Sequence, residues 1–427
     1  MGDLVTGLYD YYRKFGARRT LAASLMYASR RLSRGVDVGE VDRYALGTVE
    51  SVRSLDARLN WYDFSSQDLQ SNRQTIERWG NLPRPRPLST MNWFVVNFQD
   101  VYAGVVNIFR FIDYFERIGV ENRVVVEGGS RQTRYLIDGV LKDRFPSLSS
   151  VKVYDCEPFS AIPYADVSVA TYWTTAYLLM KFNKTGGKYY FIQDDERMFF
   201  ESGTWSALVE ETYRFGFLGI ASAESLKRMY QEEFQSDAAS FSIAVDTSLF
   251  RPDHDVPRER VKRVFFYARP NMPRNGFDLG MLALGKIKGK YPDLEIVTAG
   301  ENLTGHFPFK VENLGYLTIE QTASLYRTCD LGLFIMFSRH PGVIPLELMA
   351  SGCTVVSNKS KYHESLTVDD YNCLLSDPTV TRLVETIQRA LEDFNLRKTL
   401  ARNGIKTAKA TSWEPQFEKI RSFIVGR

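Results

Sequence analysis

Two short stretches hold residues whose types and spacing could do chemistry. The first, Tyr267-Ala268-Arg269-Pro270-Asn271-Met272-Pro273-Arg274-Asn275-Gly276, carries two guanidiniums in a loop that follows an apolar run. Arg binds phosphate oxygens two at a time, so a pair of them beyond a strand's carboxyl end suits a diphosphate. The second, Ser338-Arg339-His340-Pro341-Gly342-Val343-Ile344-Pro345-Leu346-Glu347, leads from an apolar run ending at Met336 to a helix that opens near Pro345. The unpaired N–H groups around Gly342 and Val343, at the positive end of that helix, make a natural seat for an anionic group. Glu347 falls in the first turn, where a carboxylate is favourable and can accept bonds from hydroxyls. Taken singly, each stretch also suits an ordinary solvated loop. Of the four histidines only His340 lies in such a stretch, and no two stand at metal-ligand spacing.

These loops need strands and helices to hold them. From Met91 the chain alternates short β-branched or aromatic runs with helical patterns, which points to parallel sheet built from βαβ units. Strands are expected over Asn92–Phe98, Arg123–Glu127, Val151–Tyr154, Asp166–Ala170 and Tyr189–Gln193, with helices over Val105–Ile118 and Thr174–Phe182. After a break at Arg251–Pro257 the grammar restarts: strands over Arg263–Tyr267, Leu294–Ala299, Leu331–Met336 and Thr354–Val356, helices over Gly276–Tyr291, Ile319–Thr328 and from Pro345. Two successive α/β sheets make a two-lobed molecule whose ligands belong outside the carboxyl ends of the strands, facing a cleft. Residues 1–87 contain no convincing strand; Leu4–Ser33 reads as two helices, and Pro83-Arg84-Pro85-Arg86-Pro87 as a stiff linker.

With 427 residues, 44% hydrophobic and 25% charged, the chain has ordinary globular composition for two or three domains, and wholesale disorder is excluded. Fifty-four Lys and Arg against 51 Asp and Glu leave +3, too little to argue for nucleic acid. Four scattered cysteines without a CxxC pair speak against a disulfide scaffold or a cysteine zinc site and for reduced thiols in the cytoplasm. The longest uncharged stretch, Val167–Met180, is shorter than the roughly 20 residues of a membrane span. The first 34 residues are basic (Arg13, Lys14, Arg18, Arg19, Arg30, Arg31 and Arg34 against Asp3 and Asp10). Such a helix can cap the first lobe or lie on anionic lipid at the inner face of the cell membrane.

Together the motifs resemble the C-terminal lobe of GT-B glycosyltransferases of the family 4 type, over roughly Val245–Ile424. Val245-Asp246-Thr247 with Phe250 and Pro252 resembles the interdomain signature, and Arg269 and Arg274 match the Arg and Lys that hold the donor pyrophosphate. Leu314-Gly315-Tyr316-Leu317 matches the loop that receives the nucleobase. Pro345, Glu347, Met349, Ala350 and Gly352 match the helix whose Glu binds the ribose, and Ser412-Trp413-Glu414 the start of a last helix that crosses back. The family's first Glu, which touches the donor sugar, is replaced by Arg339. The Ser-x-His-Pro-Gly form, with Ala170–Tyr177, Tyr190–Glu196 and Phe200, resembles bacterial rhamnosyltransferases that use dTDP-rhamnose for surface glycans.

The resemblance implies an α/β GT-B architecture of two Rossmann-like lobes with an N-terminal helical extension. Its parts would be 1–87 (extension and linker), 88–250 (acceptor lobe), 251–411 (nucleotide-sugar lobe) and 412–427 (the returning helix). It implies retaining, metal-independent transfer of a sugar, rhamnose first, to a glycan or lipid-linked acceptor, with the nucleotide sugar as substrate and no cofactor. A UDP- or GDP-hexose donor, or a catalytically weak scaffold, stays open. Arg269, Arg274 and the amides near Gly342 and Val343 would meet the leaving diphosphate, and Gly104 would let backbone approach it. Asp194, Asp195 and Glu196 are the candidates for activating the acceptor, and His340 is the further catalytic candidate.

Overall fold

Two all-parallel sheets carry the molecule, each built from runs buried on both faces. The computed structural model describes residues 60–426 apart from 99–100, 130, 254–258, 305–306 and 364–365. The helices expected over Leu4–Ser33, with their basic face, lie outside the described residues. Ahead of the first sheet, helix α1 (Ser66–Gly80) begins with a capping box in which Ser65 and Asp68 satisfy each other's backbone N–H groups.

The first sheet comprises β1 (Thr90–Val96), β2 (Glu121–Glu127), β3 (Lys152–Asp155), β4 (Ala165–Ala170), β5 (Thr185–Ile192), β6 (Leu218–Ala221) and β7 (Ala238–Ser240), in the order β3-β2-β1-β4-β5-β6-β7. Its crossovers include α2 (Ala103–Arg117), a kinked helical stretch over 131–144, α3 (Trp173–Lys181), α4 (Thr204–Thr212) and α5 (Glu224–Phe234). The second sheet comprises β8 (Arg263–Tyr267), β9 (Glu295–Ala299), β10 (Glu312–Asn313), β11 (Leu331–Phe334), β12 (Thr354–Asn358) and β13 (Leu374–Ser376), ordered β10-β9-β8-β11-β12-β13. Around it lie α6 (Phe277–Lys290), α7 (Ile319–Thr328), α8 (Ile344–Ala350), α9 (Val380–Glu392) and α10 (Phe394–Lys409). In each sheet the strand order reverses beside the first strand, which creates a crevice at the carboxyl ends of β1/β4 and of β8/β11.

Helix α11 (Glu414–Val425) leaves the second lobe and completes the core of the first. Phe417, Ile420 and Ile424 are buried in one cluster with Trp93, Phe111 and Phe191. The Phe417 ring lies 5.0 Å from that of Phe111 and 4.8 Å from Tyr114, and the Tyr114 hydroxyl donates to Glu418 at 2.5 Å. Between α1 and α11 the Arg86 guanidinium sits 5.4 Å from the Trp79 ring centroid, and the Arg86 N–H donates to the Val425 carbonyl.

Several elements differ from the sequence expectation. The strand expected to run to Met336 stops at Phe334, because the Met336 backbone is captured by a side chain instead of a neighbouring strand: its N–H donates to Asn358 Oδ1 (2.8 Å), and Asn358 Nδ2 donates to its carbonyl (2.9 Å). Helices α1, α4, α5, α9 and α10, the kinked stretch over 131–144 and strands β6, β7, β10 and β13 have no counterpart in that expectation; the four strands are only two to four residues long. Among the described residues no helix is long and apolar enough to cross a membrane.

Candidate active site

The loops after β8 and β11 stand side by side because those strands pair, and a backbone bond joins them directly: the Phe337 N–H donates to the Arg274 carbonyl at 2.8 Å. The Arg269 guanidinium has no hydrogen-bond or ion-pair partner among the described residues, and its Nε is buried. Arg274 reaches across to the first lobe. Its guanidinium carbon lies 4.1 Å from the Phe199 ring centroid, and its Nε 3.7 Å from Asp194 Oδ2. Two adjacent cations, one of them unpaired, leave positive charge in the crevice uncompensated, which is what a diphosphate requires.

Glu347, on α8, is 8% exposed, and its carboxylate has no partner among the described residues. Burial pushes its pKa up to about 7, with Arg144 of the first lobe pulling the other way. A buried carboxylate held without donors is costly unless something supplies them. The turn into α8 needs Gly342: its φ is +73°, and a Cβ there would fall 2.8 Å from the Phe334 ring. The Gly342 N–H donates to His340 Nδ1 (2.9 Å), so the Val343 amide, not that of Gly342, is left to face a ligand. Acceptance at Nδ1 puts the His340 proton on Nε2. Burial, then the neighbouring His363, pushes its pKa down to about 4 against the Ser222 carbonyl, so the ring is neutral near pH 7.

Leu314, Gly315, Tyr316 and Leu317 follow β10, at the far side of the same crevice. The Gly315 carbonyl accepts from the Gly300 N–H (2.9 Å), and the Gly315 φ of +62° suits a site where a Cβ would strike the Asn302 amide. Tyr316 projects outward, 66% exposed.

Across the crevice, the three carboxylates after β5 divide sharply in their surroundings. Asp195, 2% exposed, accepts from Arg197 Nε and Nη2, both at 2.8 Å, and lies 3.1 Å from Arg339 Nε. Glu196, also 2% exposed, accepts from the Trp173 N–H at the start of α3 (2.7 Å) and from the Tyr190 hydroxyl (3.1 Å), and burial pushes it up to about 8. Both are occupied in holding backbone and neighbours. Asp194 alone looks into the crevice, accepting from the Ser338 hydroxyl and facing Arg274. Burial pushes its pKa up to about 6, with Ser338 and then Arg274 pulling down. Gly104 is the second residue of α2; Gln193 Nε2 donates to its carbonyl at 3.1 Å, and a Cβ there would meet the Tyr102 ring at 3.3 Å. Arg339 turns from the crevice toward Asp195 and Glu233.

Sequence reasoning passed over Phe199, which underlies Arg274, and Glu233, which holds Arg339. It quoted Ser338 only as the first residue of a motif. The aromatic run Phe199-Phe200 just beyond the acidic trio was the available signal for Phe199; nothing local marked Glu233.

The family model for the WsaF C-terminal domain matches residues 262–388. The O-antigen biosynthesis protein RfbC of Myxococcus xanthus is 36% identical over 376 residues, 86% of this chain and 29% of that protein. The phosphatidyl-myo-inositol mannosyltransferase of Mycolicibacterium smegmatis is 28% identical over 181 residues, 39% of this chain and 43% of that protein. The chain thus spans less than half the length of these relatives. Among solved structures, HepE of Anabaena in complex with UDP superposes with a TM-score of 0.62 at 15% identity, covering 80% of this chain and 100% of that one. Sucrose-phosphate synthase of Thermosynechococcus elongatus gives 0.61 at 12%, covering 78% and 98%. Two Rossmann-like lobes, a returning helix and a crevice at facing carboxyl edges make this the GT-B fold of glycosyltransferases.

Proposed function

We propose that the chain is a metal-independent glycosyltransferase that moves rhamnose from dTDP-rhamnose onto a growing surface glycan or its lipid-linked precursor, with retention of configuration. The observation that carries the transferase reading is the Arg269 and Arg274 loop bonded directly to the loop that leads into α8, where Glu347, in the first turn, is buried without a hydrogen-bond partner among the described residues. The arginines suit a diphosphate, and the carboxylate suits ribose hydroxyls. As the bond from the sugar's anomeric carbon to phosphate breaks, its electron pair goes to the diphosphate. There the two guanidiniums meet the charge without a metal. The acceptor oxygen bonds the same carbon, and its proton passes to Asp194, whose pKa of about 6 suits a base working near neutrality.

The loop after β11 bears on the donor sugar. Arg339 stands where related enzymes carry a sugar-binding Glu, and its guanidinium is engaged by the first lobe. What faces the sugar is then a neutral His340 and an apolar Val343, a poor match for a 6-hydroxyl and a fair one for a 6-deoxy sugar. The glycan acceptor is supported by the likeness to an O-antigen biosynthesis protein. A thermal-shift panel of nucleotide sugars tests the donor, since a ligand bound only to the native state raises Tm. A shift confined to the dTDP series, with turnover that survives EDTA, is expected. A UDP- or GDP-hexose shifting Tm more than dTDP-rhamnose would reject the rhamnose assignment, and loss of turnover in EDTA would reject metal independence.

A further inference from the structure

Four charged side chains close a ring between the two lobes, beside the crevice. Arg339 comes from the second lobe; Asp195, Arg197 and Glu233 come from the first. Arg339 Nε lies 3.1 Å from Asp195 Oδ2 and its Nη2 2.7 Å from Glu233 Oε1. Arg197 engages the same two acids, Asp195 through Nε at 2.8 Å and Glu233 through Nη2 at 2.9 Å. Each cation therefore touches both anions, and the ring is neutral. It is sheltered on the Asp195 side and open at Glu233: the Arg339, Arg197 and Asp195 side chains are 20%, 17% and 3% exposed, and that of Glu233 36%. The Arg339 guanidinium carbon lies 4.8 Å from the Tyr362 ring centroid, and its carbonyl accepts from Ser225 Oγ at 2.8 Å. The two pairs at Asp195, enclosed in this way, lose little to salt and are costly to break on one side only.

We infer that Arg339 is a positioning residue: through Asp195 and Glu233 it fixes the separation of the two lobes and seats the 338–342 loop against Asp194. The loop has few other ways to stray. Ser338 donates to Asp194 beside Arg339, His363 Nε2 holds the Ser338 carbonyl at 2.9 Å, and the His340 N–H donates back to Ser338 Oγ at 3.1 Å. Only the planar fork of Arg spans two carboxylates at once, so Lys keeps one contact and Glu turns attraction into repulsion against both acids. Restoring the Glu of related enzymes at 339 alone should therefore damage this protein. The inference leans on the transferase reading for its kinetic arm only.

The test uses the full chain with Arg339→Glu and Arg339→Lys, small-angle scattering, calorimetry with dTDP and UDP, and steady-state turnover. Arg339→Glu is expected to enlarge the radius of gyration and to lower kcat on the order of a hundredfold, the effect of a misplaced constellation. Nucleotide dissociation constants should stay within about twofold, because the arginines and Glu347 belong to one lobe. Arg339→Lys should keep the native dimensions and recover part of kcat. Should Arg339→Glu fail to fold, Glu233→Gln takes its place with the same expected direction. Unchanged scattering in Arg339→Glu, or in Glu233→Gln where it stands in, overturns the inference, as does a nucleotide affinity that falls together with kcat, which would make Arg339 a donor ligand. A native protein that turns over no nucleotide sugar defeats the transferase reading, while scattering still decides the role of Arg339.

Discussion

At the scale of single residues, the crevice is defined by which charges are spent and which are free. Glu347 is buried without donors, so its contribution is realised when hydroxyls reach it. Glu347→Ala is expected to weaken dTDP binding by about tenfold, roughly the 1.5 kcal/mol of a hydrogen bond to a charged group, with isothermal calorimetry as the check. Asp194 must be ionised to take a proton, and burial has raised it to about 6. Turnover should therefore climb as pH rises through about 6, level off above it, and fall as the carboxylate protonates below. Asp194→Asn should remove both about a hundredfold or more of kcat and that rise, read from the pH profiles of the two proteins. Sequence could nominate Asp194, Asp195 and Glu196 together but could not separate them. Their fates are decided by Arg197, Arg339, Tyr190 and the α3 backbone, which converge only in the fold.

At the scale of elements, the loops that matter are held by neighbours rather than by their own sequence. Asn358, at the end of β12, satisfies both backbone groups of Met336 and so turns the chain out of β11 toward Ser338. Asn358→Ala leaves the part-buried N–H and C=O of Met336 without their partner, at about 1 kcal/mol, and a lowered Tm by calorimetry is the expected result. The central strands were legible because parallel sheets need runs buried on both faces, and Met91–Val95 and Val264–Phe266 supply them. The short strands β6 and β7 were not, since Leu218–Ala221 and Ala238–Ser240 carry little β-branched or aromatic character and owe their pairing to the neighbour before them, β6 to β5 and β7 to β6. Arg269, Arg274 and Glu347 were readable as loop chemistry. The bond from Phe337 to Arg274, which puts those loops in contact, depends on strand order and leaves no local trace.

At the scale of the whole molecule, the two lobes are joined in two ways: by charges across the crevice and by helix α11 behind it. Phe417 is 2% exposed among Phe111, Tyr114 and Trp413, with ring centroids 5.0, 4.8 and 5.8 Å away. Phe417→Ala should cost the first lobe about 3–5 kcal/mol, while dTDP affinity, a property of the second lobe, stays close to native. Scanning calorimetry with and without nucleotide separates the two effects.

The returning helix also reverses the order in which the lobes can be finished on the ribosome. The Tyr189 hydroxyl donates to the Ile424 carbonyl across 235 positions of sequence, and Trp79 donates to that same hydroxyl. The half translated first must wait, its apolar interior open, for a segment synthesised after the other half has all its strands. Chaperone dependence during translation should accordingly fall on the earlier half, and a stalled chain lacking residues 414–425 should leave that half, not the later one, open to protease.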